Sequence, residues 1–169
     1  MLKFIGAALI VASCGIVGFG VSRNHKRTIF ELEQLLVALD FMQMELRCQK
    51  TPLPILCRKT AEHISGKISQ ALHFFAQELD KQVSPNPEIC MATTIDHCCE
   101  NWVELKPLLI HLGKVLGKFD LEGQQKGIAA VSGEAKSKLD ILSSNSESRV
   151  RSYQTLGLCA GAAVAILLL

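Results

Sequence analysis

The apolar positions fall into two regimes along the chain. At each end they run almost without interruption, over Phe4–Val21 (FIGAALIVASCGIVGFGV) and Leu156–Leu169 (LGLCAGAAVAILLL). Between the ends they recur every three or four residues, the period of a helix with one buried face. No stretch alternates Val, Ile, Thr or Tyr with polar residues as a half-buried strand does.

The middle therefore reads as a succession of helices. Leu32, Leu35, Leu36, Leu39, Met42 and Leu46 make a stripe from Thr28 to about Gln49, with Glu31, Glu33, Asp40, Gln43 and Arg47 mainly off it. Thr51-Pro52-Leu53-Pro54 punctuates the chain. The Thr51 hydroxyl suits the N-cap of the next helix, Pro52 its first position, and Pro54 still falls within the first turn. That helix is predicted over Pro52–Ile64, where Gly66 interrupts it. The next runs from Lys67 to about Gln82 on Ile68, Leu72, Phe75 and Leu79.

Pro85 and Pro87 forbid continuation. A helix from Glu88 to about Asn101 follows, with Trp102 and Val103 near its end predicted to plug the core. Another spans Glu104 to Leu116 on Leu108, Leu109, Leu112 and Leu116. Gly113 and Gly117 suit close helix packing and termination, Gly117 in the left-handed position, and Asp120 suits an N-cap. From Leu121 onward Ile128, Val131, Ala135, Leu139, Leu142, Val150 and Tyr153 hold one phase. A helix is thus predicted to run through Ser143–Ser146 into the C-terminal apolar run, although Gly123 and Gly127 weaken its start. The expected fold is all-α: a bundle of about six helices with a transmembrane helix at each end.

Phe4–Val21 is 18 uncharged residues, roughly 27 Å of helix against a hydrocarbon core of about 30 Å. Arg23, His25, Lys26 and Arg27 follow at once, whereas only Lys3 precedes the run. That asymmetry puts the C-terminal side in the cytoplasm. Leu156–Leu169 is shorter, but Tyr153, Gln154 and Thr155 extend it to roughly 25 Å. Tyr153 suits a membrane interface, and Arg149 and Arg151 a cytoplasmic flank. The predicted organisation is an N-terminal anchor over residues 1–22, a cytoplasmic helical bundle over 23–153 and a C-terminal anchor over 154–169. Two alternatives compete. One is a cleaved signal peptide. The other is a lipoprotein processed at Val11-Ala12-Ser13-Cys14, which would make the chain an extracytoplasmic binding module anchored at Cys14. Seven further apolar residues after Cys14 argue against it.

Composition changes this picture little. A mean hydropathy of +0.26 comes from the two ends. A net charge of +2, one Trp and one Tyr give no basic, aromatic surface for nucleic acid. Seven cysteines at 14, 48, 57, 90, 98, 99 and 159 form no C-x-x-C pair and no even framework, so reduced thiols are expected. Asp96-His97-Cys98-Cys99 with Cys90 is the one ligand-like cluster. Adjacent Cys98 and Cys99 would point about 100° apart on a helix, so structural burial is preferred to zinc. His25, His63, His73, His97 and His111 are scattered, no Walker-type loop exists, and no nucleophile, base and orienting group stand together. No catalytic residue, cofactor or metal is expected.

Several segments carry a resemblance. They are the Met1-Leu2-Lys3 start into an apolar run, Leu35–Glu45 followed by Thr51-Pro52-Leu53-Pro54, then Leu112-Gly113, Leu116-Gly117, Asp120 and Gln124-Gln125. Tyr153, Leu156-Gly157 and the Leu-rich stop complete the set. In this order the chain resembles the stage III sporulation protein AB family of endospore-forming bacteria. The resemblance implies a bundle similar to the helical domain of the type II secretion platform protein F. It also implies a non-catalytic scaffold in a trans-envelope channel complex. Its partners would be a cytoplasmic secretion-type ATPase similar to stage III sporulation protein AA, other membrane components of that complex and the lipid bilayer, with self-association open. The setting would be the mother-cell side of the membrane around the forespore. Candidate partner-contact or structural positions are Glu45, Arg47, Thr51, Pro52, Pro54, Gly113, Gly117, Asp120 and Gln124, with Glu45, Arg47, Asp120 and Gln124 expected on the surface.

Overall fold

A computed structural model describes residues 26–49, 51–81, 86–98, 102–117 and 120–168, with side chains described as far as residue 144. Among these residues there are six α-helices and no strand. They are α1 (26–48), α2 (Leu53–His63), α3 (Gly66–Lys81), α4 (Pro87–Cys98), α5 (Lys106–Leu116) and α6 (Leu121–Leu168). Residues Phe30–Leu139 form one compact unit, which is the bundle. The predicted N-terminal anchor lies outside the described residues. The backbone of the C-terminal segment is helical to Leu168, with no break at Ser143–Ser146. Among the described residues no helix is long and apolar enough to cross a membrane.

The helical stripes become the core. Leu32, Leu35, Leu39 and Met42 of α1 are fully buried, as are Leu56 and Cys57 of α2, Ile68 and Phe75 of α3, Leu112 of α5, and Ile128, Val131 and Ala135 of α6. Neighbours in sequence pack together: α2 on α3, α3 on α4 and α4 on α5. Each interface removes apolar side chains from water, at about 1.5–3 kcal/mol for a fully buried large one.

Two glycines mark close approaches. A Cβ on Gly113 would stand 2.7 Å from Met91 Cβ, so α4 and α5 meet where only a hydrogen fits. A Cβ on Gly127 would run into Val115 Cγ1 and stand 2.7 Å from Cγ2, which explains a glycine inside the first turns of α6.

Several local expectations change. Glu31 is only 4% exposed, because its carboxylate takes the backbone N–H groups of Lys67 and Ile68 at the start of α3. No acidic residue lies in the first turn of α3, so Glu31 of α1 supplies the anion that a helix N-terminus attracts. Gly66, at φ +84°, turns the chain into α3. Gly117 is right-handed rather than left-handed, at φ −76°, and its N–H bonds back to Gly113 O. Trp102 is buried as predicted, but Val103 is 78% exposed, because 103–105 forms a turn before α5. Asn86, not anticipated as a cap, accepts the Glu88 and Ile89 N–H groups through Oδ1.

Candidate interaction surfaces

The residues singled out from the sequence fall in two separate local structures. The first joins α1 to α2. Glu45 was expected on the surface, yet it is buried, 8% exposed. Its Oε2 accepts from the Thr51 hydroxyl at 3.0 Å and from Lys59 Nζ at 3.3 Å. Lys59 also reaches Gln49 Oε1 at 3.4 Å. Thr51 therefore does not cap α2, which has no side-chain cap; its hydroxyl is turned to a charged acceptor instead. Pro52 occupies the N-cap position, one residue earlier than expected, with Pro54 in the first turn. Arg47 is exposed.

The second structure joins α5 to α6. Asp120 caps α6 as predicted, accepting the Gly123 N–H at 2.6 Å. Gln124 is half-buried rather than fully on the surface, and its amide reaches back to Leu116 O at 3.3 Å. Gly113 is the close-packing glycine against Met91, whereas a Cβ on Gly117 would meet nothing nearer than 3.6 Å. Glu45 and Thr51 brace the junction of α1 and α2, and Asp120 and Gln124 the start of α6; Arg47 and Asp120 alone among the four surface candidates are exposed.

Two apolar surfaces escaped the sequence reading. Along α1, Phe30, Val37 and Met44 recur every seven residues and are 41%, 44% and 53% exposed. Gln34 and Phe41 lie between them, partly covered by the end of α2. Gln34 accepts the Ser65 N–H at 2.9 Å, and Phe41 stacks on His63 with ring centroids 4.7 Å apart. The order 30, 34, 37, 41, 44 steps by four and three, a second helical seam beside the buried one. Its signal was present in the spacing but hidden by the stronger Leu stripe.

The other surface lies on α5. Val103, Lys106, Pro107, Ile110, His111 and Lys114 line a shallow groove of about 570 Å³. Around it, His111 Nδ1 meets Glu134 Oε1 at 3.1 Å, and Lys114 lies 3.8 Å from Glu88. Lys138 bridges to the backbone and carboxylate of Glu104.

The thiols are dispersed. Cys48 is exposed, Cys57 and Cys90 are buried, and none of the described cysteines is in a disulfide. Burial pushes the Cys57 thiol up to about 12. Burial, and then the charge of Glu78, raise Cys90; burial also raises Cys98. Such thiols stay protonated and are poor nucleophiles or metal ligands. Cys98 Sγ lies 3.7 Å from His97 Nδ1, while the His97 ring stacks on Phe74. Among the described residues no three His, Cys, Asp or Glu side chains gather as a metal site would require.

Comparison with known proteins agrees with this architecture. The family model described as Stage III sporulation protein AB matches residues 3–169. The chain is 25% identical over 174 residues to stage III sporulation protein AB of Bacillus subtilis (strain 168), with 100% of both chains covered. A solved structure of stage III sporulation protein AB (SpoIIIAB) superposes with a TM-score of 0.61 at 21% identity, covering 72% of this chain and 97% of that one. At that identity the structural likeness speaks for the fold.

Proposed function

Because the chain belongs to the stage III sporulation protein AB family, we propose that it is a non-catalytic, membrane-anchored scaffold of a sporulation-specific trans-envelope channel complex. In this reading the apolar runs at both ends hold the bundle against the membrane, with the bundle in the cytoplasm on the mother-cell side. The bundle is similar to the type II secretion platform domain, and its partner is a cytoplasmic secretion-type ATPase like stage III sporulation protein AA. Nucleotide chemistry then belongs to the partner, and this chain supplies a rigid surface.

The observation that carries the reading is the exposed seam of α1. Phe30, Val37 and Met44 leave apolar surface in water along two heptads of a helix whose other face is already packed. A folded domain gains nothing from such a stripe by itself, and stripes of this kind mark protein contacts. A platform role uses it.

Two measurements test the reading. A full-length variant keeping only Cys14 and Cys48, of which Cys48 is exposed, is treated in intact cells with a membrane-impermeant thiol reagent. Protection until lysis is expected; labelling in intact cells would favour the extracytoplasmic module anchored at Cys14. The stage III sporulation protein AA-like ATPase is expected to co-purify with the full chain from solubilised membranes. Its absence under mild, low-salt solubilisation would remove the coupling role.

A further inference from the structure

We propose that the outer face of α5 is a docking groove for an acidic, amphipathic helical segment of a partner protein. The surface is independent of the α1 seam, and the inference stands or falls without the ATPase reading.

The helix is apolar on two faces. Leu108, Leu109, Leu112, Val115 and Leu116 point into the core and are at most 3% exposed. That face alone secures α5 in the bundle. Val103 and Ile110, on the other side, are 78% and 44% exposed and with Pro107 form the apolar floor of the groove. Val103 is the most exposed large apolar residue described. The lining residues step by three, one, three, one and three, so they occupy one face over about 17 Å of chain. That length matches three turns of a partner helix laid along it, the helix-in-groove mode.

Charge selects the partner. Every charged or titratable lining residue is basic: Lys106, His111 and Lys114. Facing acids are Glu134, which pairs with His111 from α6, and Glu88, which stands 3.8 Å from Lys114; Glu104, beside Val103, is held by Lys138 of α6. The second pair is more than half exposed on both sides, so it holds little free energy and yields readily to an incoming carboxylate. Apolar anchors flanked by Asp or Glu fit this groove, whereas Lys- or Arg-rich segments are repelled. An anionic membrane surface fits it less well. Electrostatic membrane binding draws on clusters of about four to eight Lys or Arg, and this groove offers two lysines and a histidine already paired. A three-turn contact is small by the standard of stable complexes, so a weak, exchangeable interaction follows.

The test uses the full chain in a non-ionic detergent. The probe is a fluorescein-labelled peptide with Leu at positions i, i+3, i+4, i+7 and i+11 and Glu between them; its counterpart carries Lys for Glu. The acidic peptide is expected to bind and the basic one not. Lys106→Glu with Lys114→Glu should weaken binding about tenfold, and Ile110→Ser should weaken it about fivefold. Lys136→Glu, an exposed α6 position outside the groove, should leave it unchanged. All substituted side chains reach the surface, and retained helical circular dichroism checks the fold. Absence of binding, equal binding of the two peptides, or equal loss with Lys136→Glu overturns the proposal. In phosphatidylglycerol vesicles without peptide, Ile110→Cys as the sole thiol should react with N-ethylmaleimide, which crosses bilayers. Shielding there would assign the groove to lipid and overturn the proposal as well.

Discussion

The Glu31 carboxylate of α1 holds the backbone N–H of Lys67 in a fork, at 3.1 Å to Oε1 and 3.0 Å to Oε2. Oε2 also takes the next N–H, of Ile68, at 3.1 Å. One residue of the first helix thus satisfies orphan donors of the third, and it does so in a dry place.

Removing that anion leaves donors unpaired in the interior. Glu31→Ala should destabilise the bundle by about 2–3 kcal/mol, the cost of stranded buried groups beside a helix N-terminus. Glu31→Gln keeps one acceptor oxygen but loses the charge and the second accepting arm of the fork, so an intermediate loss of about 1 kcal/mol is expected. Urea unfolding of the full chain in mild detergent measures both. Equal stability of Glu31→Ala and the parent would show that the fork contributes nothing.

Gly113 within α5 and Gly117 at its C-cap should respond in opposite ways. Gly113→Ala places a Cβ 2.7 Å from that of Met91, so α4 and α5 must separate, at about 1–3 kcal/mol. Gly117 is right-handed and has space for a methyl group. Gly117→Ala should therefore be neutral or stabilise by up to about 1 kcal/mol, through a less flexible unfolded chain. Thermal unfolding of both variants decides; a large loss at Gly117 would restore the left-handed helix stop expected from the sequence.

These cases show what was legible in advance. The inner stripe of α1, apart from the half-buried Leu36, and the Asp120 cap depend on residues a few positions apart, and both follow from the spacing. The continuity of α6 through Ser143–Ser146 was also legible, because the apolar phase is kept across the serines. Glu31 was misplaced because its partners lie 36 and 37 residues away, and periodicity alone put it outside the stripe. Thr51 looked like a cap because its neighbourhood is proline-rich, but the buried Glu45 competes for its hydroxyl. Val103 follows a buried Trp102, and one turn of backbone reverses their exposure. Gly123 and Gly127 looked like weaknesses in α6; Gly127 is instead the point where Val115 comes close.

Cys57 gives a pH signature. Its thiol, fully buried, is pushed up to about 12 from an ordinary 9.0. The folded state then keeps its proton while the unfolded state releases one. Stability from this group is constant below pH 9 and falls as pH rises from 9 toward 12. A loss of about 1 kcal/mol is expected by pH 10. Comparing unfolding of the parent and Cys57→Ala at pH 8 and 10 isolates it: the parent should lose more stability than the variant. Cys48, on the surface, should meanwhile react with a thiol reagent at neutral pH long before Cys57 does.

The α1 seam offers the sharpest separation of folding from partnership. Val37 and Met44 are about half exposed, so Val37→Asp and Met44→Glu should alter stability by no more than about 0.5 kcal/mol. If the seam is where a partner packs, each buried apolar anchor contributes about 1–2 kcal/mol to binding, and the double variant should weaken capture of the ATPase at least tenfold. Ile89→Asp on α4, at a site 58% exposed and off the seam, is the matched control for a new surface charge. Undiminished capture by the Val37→Asp/Met44→Glu chain would move the contact to another face. Equal loss with Ile89→Asp would show that the effect is not specific to the seam. Selective loss with an intact bundle would mean that α1 has two jobs divided by a rotation of the helix: Leu32, Leu35, Leu39 and Met42 hold the domain together, and Phe30, Val37 and Met44 hold it to something else.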